Sequence, residues 1–130
     1  MKKVIGVGVM LQTPRGTFLF QERDSQAKLH PGRIAPFGGG IENGEDVLQC
    51  VKREMLEELH LGLDTCSLET IQVRESHHEL NTYIQMFIVK DIDKSKLVLK
   101  EGKSIIELAK EEVLVHPNVT DFTKEVMELL

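Results

Sequence analysis

From Gly38 to Leu61 the chain reads GGGIENGEDVLQCVKREMLEELHL, in which residues 38–40 read as a glycine turn leading into a helix-forming segment loaded with carboxylates. Val47, Leu48, Val51, Met55 and Leu59 recur three and four apart, the spacing of an apolar stripe on a packed helix. Glu54, Glu57 and Glu58 fall on another side, also three and four apart, so their carboxylates project together. Like charges so placed repel by roughly a few tenths of a kcal/mol each. A solvated charged face is one way to carry them, and a bound cation is the other. Carboxylate oxygens are hard ligands, which suit Mg²⁺ or Mn²⁺ better than zinc. The glycines ahead of the helix let backbone carbonyls or N–H groups come close to a ligand or metal.

A chain of 130 residues with 41% apolar content fits one domain spanning residues 1–130 around a single core. The net charge of −5 argues against a general nucleic-acid binder, which presents a basic face. An acidic protein that handles a polyphosphate must neutralise it locally, with a metal and a few arginines. No apolar run is long enough to span a membrane, and Met1-Lys2-Lys3 leads into a strand without a cleavage site. Cys50 and Cys66 have no CxxC spacing, so reduced, buried thiols in a cytoplasmic protein are expected.

The alternating, β-branched run Val4–Leu11 predicts a strand, and Thr17–Arg23 a second one after the turn at Thr13–Gly16. Residues 24–36 read as a loop, with Arg23 at its edge either as a surface arginine or facing a ligand. Strands are expected at Ser67–His77, Asn81–Lys90 and Ser104–Leu108, with a strand-like patch at Leu97–Leu99. His77-His78-Glu79 reads as a turn or pocket rim, since neighbouring side chains on an extended chain point to opposite faces. Lys110–Leu114 suggests a turn or short helix, and Val119–Leu130 a helix with Asn118 as N-cap.

One spacing in this chain is more specific than the rest. Gly39, Glu45, Arg53-Glu54, Met55 and Glu57-Glu58 follow one another in the pattern that resembles the Nudix box. The resemblance departs at one place: the family has Gly after the glutamates, and this chain has His60, with Gly62 two residues on. A left-handed helix end costs a non-Gly residue roughly 1–2 kcal/mol, so Gly62 is expected to take over the cap.

The resemblance implies an α/β/α sandwich, with a mixed sheet between the box helix and the C-terminal helix. It implies metal-assisted hydrolysis of a nucleoside diphosphate linked to another group. Glu54, Glu57 and Glu58, with Glu101 and the carbonyl of Gly38, would hold Mg²⁺, for which Mn²⁺ could substitute. Glu54 is the first choice for general base and Glu101 the second, while Glu45 and Arg53 pair as scaffolding beside Gly39. Glu101 enters through a Lys-Glu-Gly turn similar to that of MutT-type members; otherwise it is an ordinary exposed turn glutamate. Arg23 matches an arginine that contacts phosphates in that branch, with Arg33 a weaker candidate. Phe37, where many relatives have Pro, either lines a base pocket or packs under the loop. Asn118 is either a helix cap or the amide that reads a purine.

The substrate implied is a purine nucleoside triphosphate, with oxidised ones such as 8-oxo-dGTP included, giving the monophosphate and pyrophosphate. A dinucleoside polyphosphate or a nucleotide sugar is the alternative. Other branches carry a proline or tyrosine after the box, and this chain has Ser76 and His77 there. A non-catalytic nucleotide-binding module is a further alternative, against which the intact acidic positions stand. The partner is a small nucleotide, with no nucleic acid or membrane, and the sequence leaves the oligomeric state open.

Overall fold

The computed structural model describes residues 3–76 and 80–130, the side chains of residues 66, 72 and 73 excepted. In chain order these form β1 (Lys3–Gln12), β2 (Phe18–Glu22), β3 (Ile34–Ala35), β4 (Phe37–Gly40), α1 (Val47–Leu59), β5 (Glu69–Glu75), β6 (Thr82–Val89), β7 (Ser104–Leu108), α2 (Lys110–Val115) and α3 (Asp121–Met127). The strands join in one seven-stranded mixed sheet. β1 and β6 run parallel, and the other pairings are antiparallel.

The sheet is forked. β1 meets β2 at only two positions, Leu11 with Leu19 and Gln12 with Phe18. Beyond them β4 pairs with β1 from Gly6 to Val9, and β3 pairs with β2 at Gln21 and Glu22. Segment 34–40 is therefore inserted between two diverging strands. This corrects the expectation of an unbroken loop over residues 24–36 followed by a glycine turn. The glycines become a strand because the open edge of β1 supplies hydrogen-bond partners. The approach is close: a Cβ on Gly6 would sit 2.8 Å from the Gly39 carbonyl oxygen.

Side chains alternate across the sheet. Val7, Val9, Leu11 and Leu19 pack with Phe37, Val51, Met55 and Leu59 beneath α1. On the opposite face Met10, Phe20 and Met86 pack with Val113, Val126 and Met127 of α2 and α3. The result is the expected α/β/α layering, with burial of each large side chain contributing about 1.5–3 kcal/mol.

Four boundaries differ from the sequence expectation for physical reasons. On α1 the buried face is Cys50, Val51, Met55, Glu58 and Leu59, while Leu48 is 41% exposed. The stripe is centred by the face that meets the sheet, and Leu48 lies to its side. At the end of α1, His60 itself takes the left-handed conformation, with φ 54, and donates its N–H to Leu56. Gly62 does not replace it. The turn must come at once, because Leu61 packs back against the core under α1.

Asn118 is not the cap of α3. Thr120 is, accepting the Thr123 N–H at 3.3 Å. The backbone before it is already engaged with β3, through Ile34 N–H to the Asn118 carbonyl (2.9 Å) and Thr120 N–H to the Ile34 carbonyl (3.1 Å). Leu97–Leu99 is no strand either. The N–H groups of Val98 and Lys100 donate instead to the carbonyls of Leu59 and Glu58, at 3.1 and 2.8 Å. They satisfy carbonyls that the end of any helix leaves unpaired. His77, His78 and Glu79 lie outside the described residues. No helix among the described residues is long and apolar enough to cross a membrane.

Candidate active site

Asp46 starts α1 with a reciprocal cap: its carboxylate accepts the Gln49 N–H at 2.8 Å, and the Gln49 side chain accepts the Asp46 N–H at 2.9 Å. The helix then brings Glu54, Glu57 and Glu58 to the fork. Glu58 is the buried member, only 3% exposed, and accepts the Gly38 N–H at 3.0 Å. Burial pushes its carboxyl up to about 8, and the charges of Glu54 and Glu101 add to the effect. The Gly38 N–H and the Arg23 charge oppose it. Burial also raises Glu54, against the pull of Arg53. Glu54 lies against Gly39 so tightly that a Cβ there would come within 2.5 Å of its carboxyl carbon.

Arg53 organises the outer carboxylates. Its Nε and Nη2 donate to both oxygens of Glu45, at 2.7 and 3.0 Å. Nη1 donates to Glu54 (3.0 Å) and Glu57 (3.2 Å), and Nη2 also to the Gly40 carbonyl (3.0 Å). The planar guanidinium suits such a fork. Its hydrogen bonds hold Glu45 down to about 2. Nearby, burial pushes the Cys50 thiol up to about 12, so it stays neutral and unreactive. Cys50 is a free cysteine; the side chain of Cys66 lies outside the described ones.

Glu101 joins the site from a distant part of the chain. The bonds from Val98 and Lys100 to the end of α1 carry it there, and its charge acts on both Glu54 and Glu58. Beside it opens a polar cavity lined by Gln21, Arg23, Asp24, Lys100 and Glu101. A second, largely apolar cavity lies in the fork, lined by Arg23, His30, Ile84, Met86, Thr120 and Phe122 among others. Arg23 borders both, with its Nε donating to the Leu29 carbonyl at 2.6 Å.

Other expected residues are placed differently. Phe37 borders the apolar cavity and is also fully buried in the core under α1, so it packs and forms part of that cavity's wall. Asn118 is exposed and does not line that cavity; Thr120 and Phe122 do. Arg33 is occupied as a clasp, donating to the Asn118 and Val119 carbonyls at 3.0 and 3.1 Å. Sequence reasoning missed Gln21, His30, Ser76 and Thr120 as lining residues. Only Gln21 left a signal, as a polar residue closing the apolar run Phe18–Phe20.

Among the described residues no three His, Cys, Asp or Glu side chains are gathered closely enough to form a metal cage. Arg53 draws Glu54 and Glu57 towards itself, while Glu58 turns to Gly38. The donor chemistry nevertheless fits a hard divalent cation. All the carboxylates offer oxygen, and a buried Glu58 crowded by Glu54 and Glu101 is the condition that a cation relieves.

A model of the NUDIX domain matches residues 2–128. The chain belongs to the Nudix family. Members are hydrolases of phosphoric anhydride bonds that use divalent metals and small nucleotide substrates. Solved structures share the fold at low identity. A Deinococcus radiodurans protein is similar at a TM-score of 0.80 and 17% identity, over 99% of this chain and 85% of that one. A MutT Nudix hydrolase from Burkholderia pseudomallei gives 0.74 and 18%, over 100% and 98%. An Ap4A hydrolase from C. elegans gives 0.71 and 15%, over 95% and 92%. No curated protein matches the sequence.

Proposed function

We propose that this Nudix hydrolase cleaves a purine nucleoside triphosphate, oxidised forms such as 8-oxo-dGTP included, to the monophosphate and pyrophosphate. Arg23 carries this reading. It lines an apolar cavity on one side and a polar, carboxylate-edged cavity on the other. A nucleotide has the same two halves. The base would enter among Ile84, Met86 and Phe122, and the phosphates would lie towards Glu101, where the planar fork of Arg23 takes their oxygens.

In this reading Glu54, Glu57, Glu58 and Glu101, with the Gly38 carbonyl, hold Mg²⁺ or, as a substitute, Mn²⁺. When bound, the metal supplies screening of phosphate charge and a more acidic water. Glu54 accepts the proton of the attacking water, with Glu101 the second candidate. Burial raises the Glu54 carboxyl, which makes it a better proton acceptor than an exposed carboxylate. Arg53 and Glu45 orient that carboxylate, and Phe37 packs beneath the site. Asn118, two residues before the cavity residue Thr120, is the candidate amide for the purine edge. The cytoplasmic nucleotide pool is the setting for such an enzyme, acting as a single Nudix domain on free nucleotides.

Similarity to an Ap4A hydrolase favours one second reading, cleavage of a dinucleoside polyphosphate at the same carboxylates. Incubation of the purified protein and Mg²⁺ with ordinary and oxidised triphosphates, ADP-ribose and dinucleoside polyphosphates separates the two. Monophosphate and pyrophosphate from a purine triphosphate, lost in Glu57→Gln, is the expected result. Turnover of dinucleoside polyphosphates alone would favour the second reading. Binding without turnover of any substrate would make the protein a nucleotide-binding module.

A further inference from the structure

Gln21 and Arg23 are the two described residues that line both cavities. They sit two apart on one side of the second strand and its continuation. A ligand that extends from the apolar cavity into the polar one passes beside them. Arg23 suits phosphate. Gln21 is neutral, and its chemistry is different.

Gln21 is only 4% exposed. A primary amide has two N–H donors and an acceptor oxygen, more capacity than one bond uses. Its Nε2 donates a long hydrogen bond, 3.4 Å, to the Pro36 carbonyl. Its Oε1 faces the turn at Gly102, 3.1 Å from where a Cβ on that residue would lie. So a buried amide is turned towards the junction of the cavities, next to the Glu101–Gly102 turn. Such a group complements a hydroxyl, which itself both donates and accepts.

We infer that Gln21 is a specificity-determining residue that recognises a hydroxyl of the substrate's sugar. This rests on the nucleotide reading above, because the sugar is the part that joins base to phosphates. Gln21 holds the ring where Arg23 and Glu101 can act on the chain of phosphates beyond it. An apolar residue of the same length would leave the sugar hydroxyl without a partner.

The test compares hydrolysis of a purine nucleoside triphosphate with that of its 2′,3′-dideoxy analogue, in wild type, Gln21→Met and Gln21→Asn. Methionine keeps the length without hydrogen bonds; asparagine keeps the amide but withdraws it. Wild type is expected to prefer the hydroxylated substrate in kcat/KM by about tenfold, the worth of one hydrogen bond in a dry site. Both variants should lose most of that preference. Because the readout is a ratio within each protein, a general loss of folded enzyme cancels. Variants that lose rate equally on both substrates would show a structural role and overturn the inference. A wild type that hydrolyses both substrates alike would overturn it while leaving the nucleotide reading intact. A wild type that hydrolyses neither would remove the reading itself, and this inference with it.

Discussion

The backbone N–H of Lys100 donates to the carbonyl of Glu58 at 2.8 Å, tying the turn that bears Glu101 to the last turn of the box helix. The bond uses the main chain only. Lys100→Pro removes the donor, and Lys100→Ala keeps it. The proline variant should lose about 1–3 kcal/mol of stability by denaturant titration, for an unpaired helix-end carbonyl. Its turnover should fall roughly tenfold, as Glu101 loses its placement. Equal effects in the two variants would show that this bond does not position Glu101.

Gly39→Ala tests the contact between strand β4 and Glu54. A methyl group there meets the Glu54 carboxylate, and Gly39 itself has no unusual backbone angle. The carboxylate must move while the fold stays. A displacement on the order of 1 Å can cost about 10²-fold in rate. We expect kcat to fall by that order with the melting temperature nearly unchanged. An unaltered kcat would mean that the Glu54 position is not needed.

The raised carboxyl of Glu58 makes a pH prediction for the metal-free protein. It titrates at about 8 when folded, against 4.5 as the ordinary value. The folded state therefore holds the extra proton between those limits, so stability is highest below pH 4.5 on this account and is lost as pH rises through about 8. The loss is roughly a few kcal/mol. Melts in EDTA should fall across that window in wild type and much less in Glu58→Gln. Superimposable curves would exclude Glu58 as the source.

His60→Gly should stabilise the protein by about 1 kcal/mol, since glycine takes a left-handed cap without steric cost. The side chain of His60 is exposed and belongs to neither cavity. Thermal denaturation reads the gain, and a lower melting temperature would show that the imidazole itself contributes to the cap.

What the sequence disclosed follows the range of the forces involved. The carboxylates of α1 were legible because helix spacing is local, and the Arg53–Glu45 pair was reached through a motif of fixed spacing. Leu48 was misplaced because the spacing gives a stripe but not its centre, which the sheet decides. Residues 38–40 were read as a turn because nothing in a glycine triplet announces a strand; the open edge of β1 makes it one. The start of α3 moved for a similar reason: Ile34 had claimed the backbone around Asn118. Glu101 was found by resemblance, while the bonds that deliver it join segments far apart in the chain. Gln21 was passed over because a polar residue at the end of an apolar run does not announce that it is buried.

The fork between the first two strands has an evolutionary consequence. Glu54, Glu57 and Glu58 stand on a helix packed over one face, whereas Ile84, Met86 and Phe122 wall the cavity from other elements. In the proposed reading, change in those wall residues would alter which nucleoside is admitted without disturbing the carboxylates assigned to the anhydride chemistry. Selection can therefore retune diet and retain chemistry, and new substrates can be explored by ordinary point mutation.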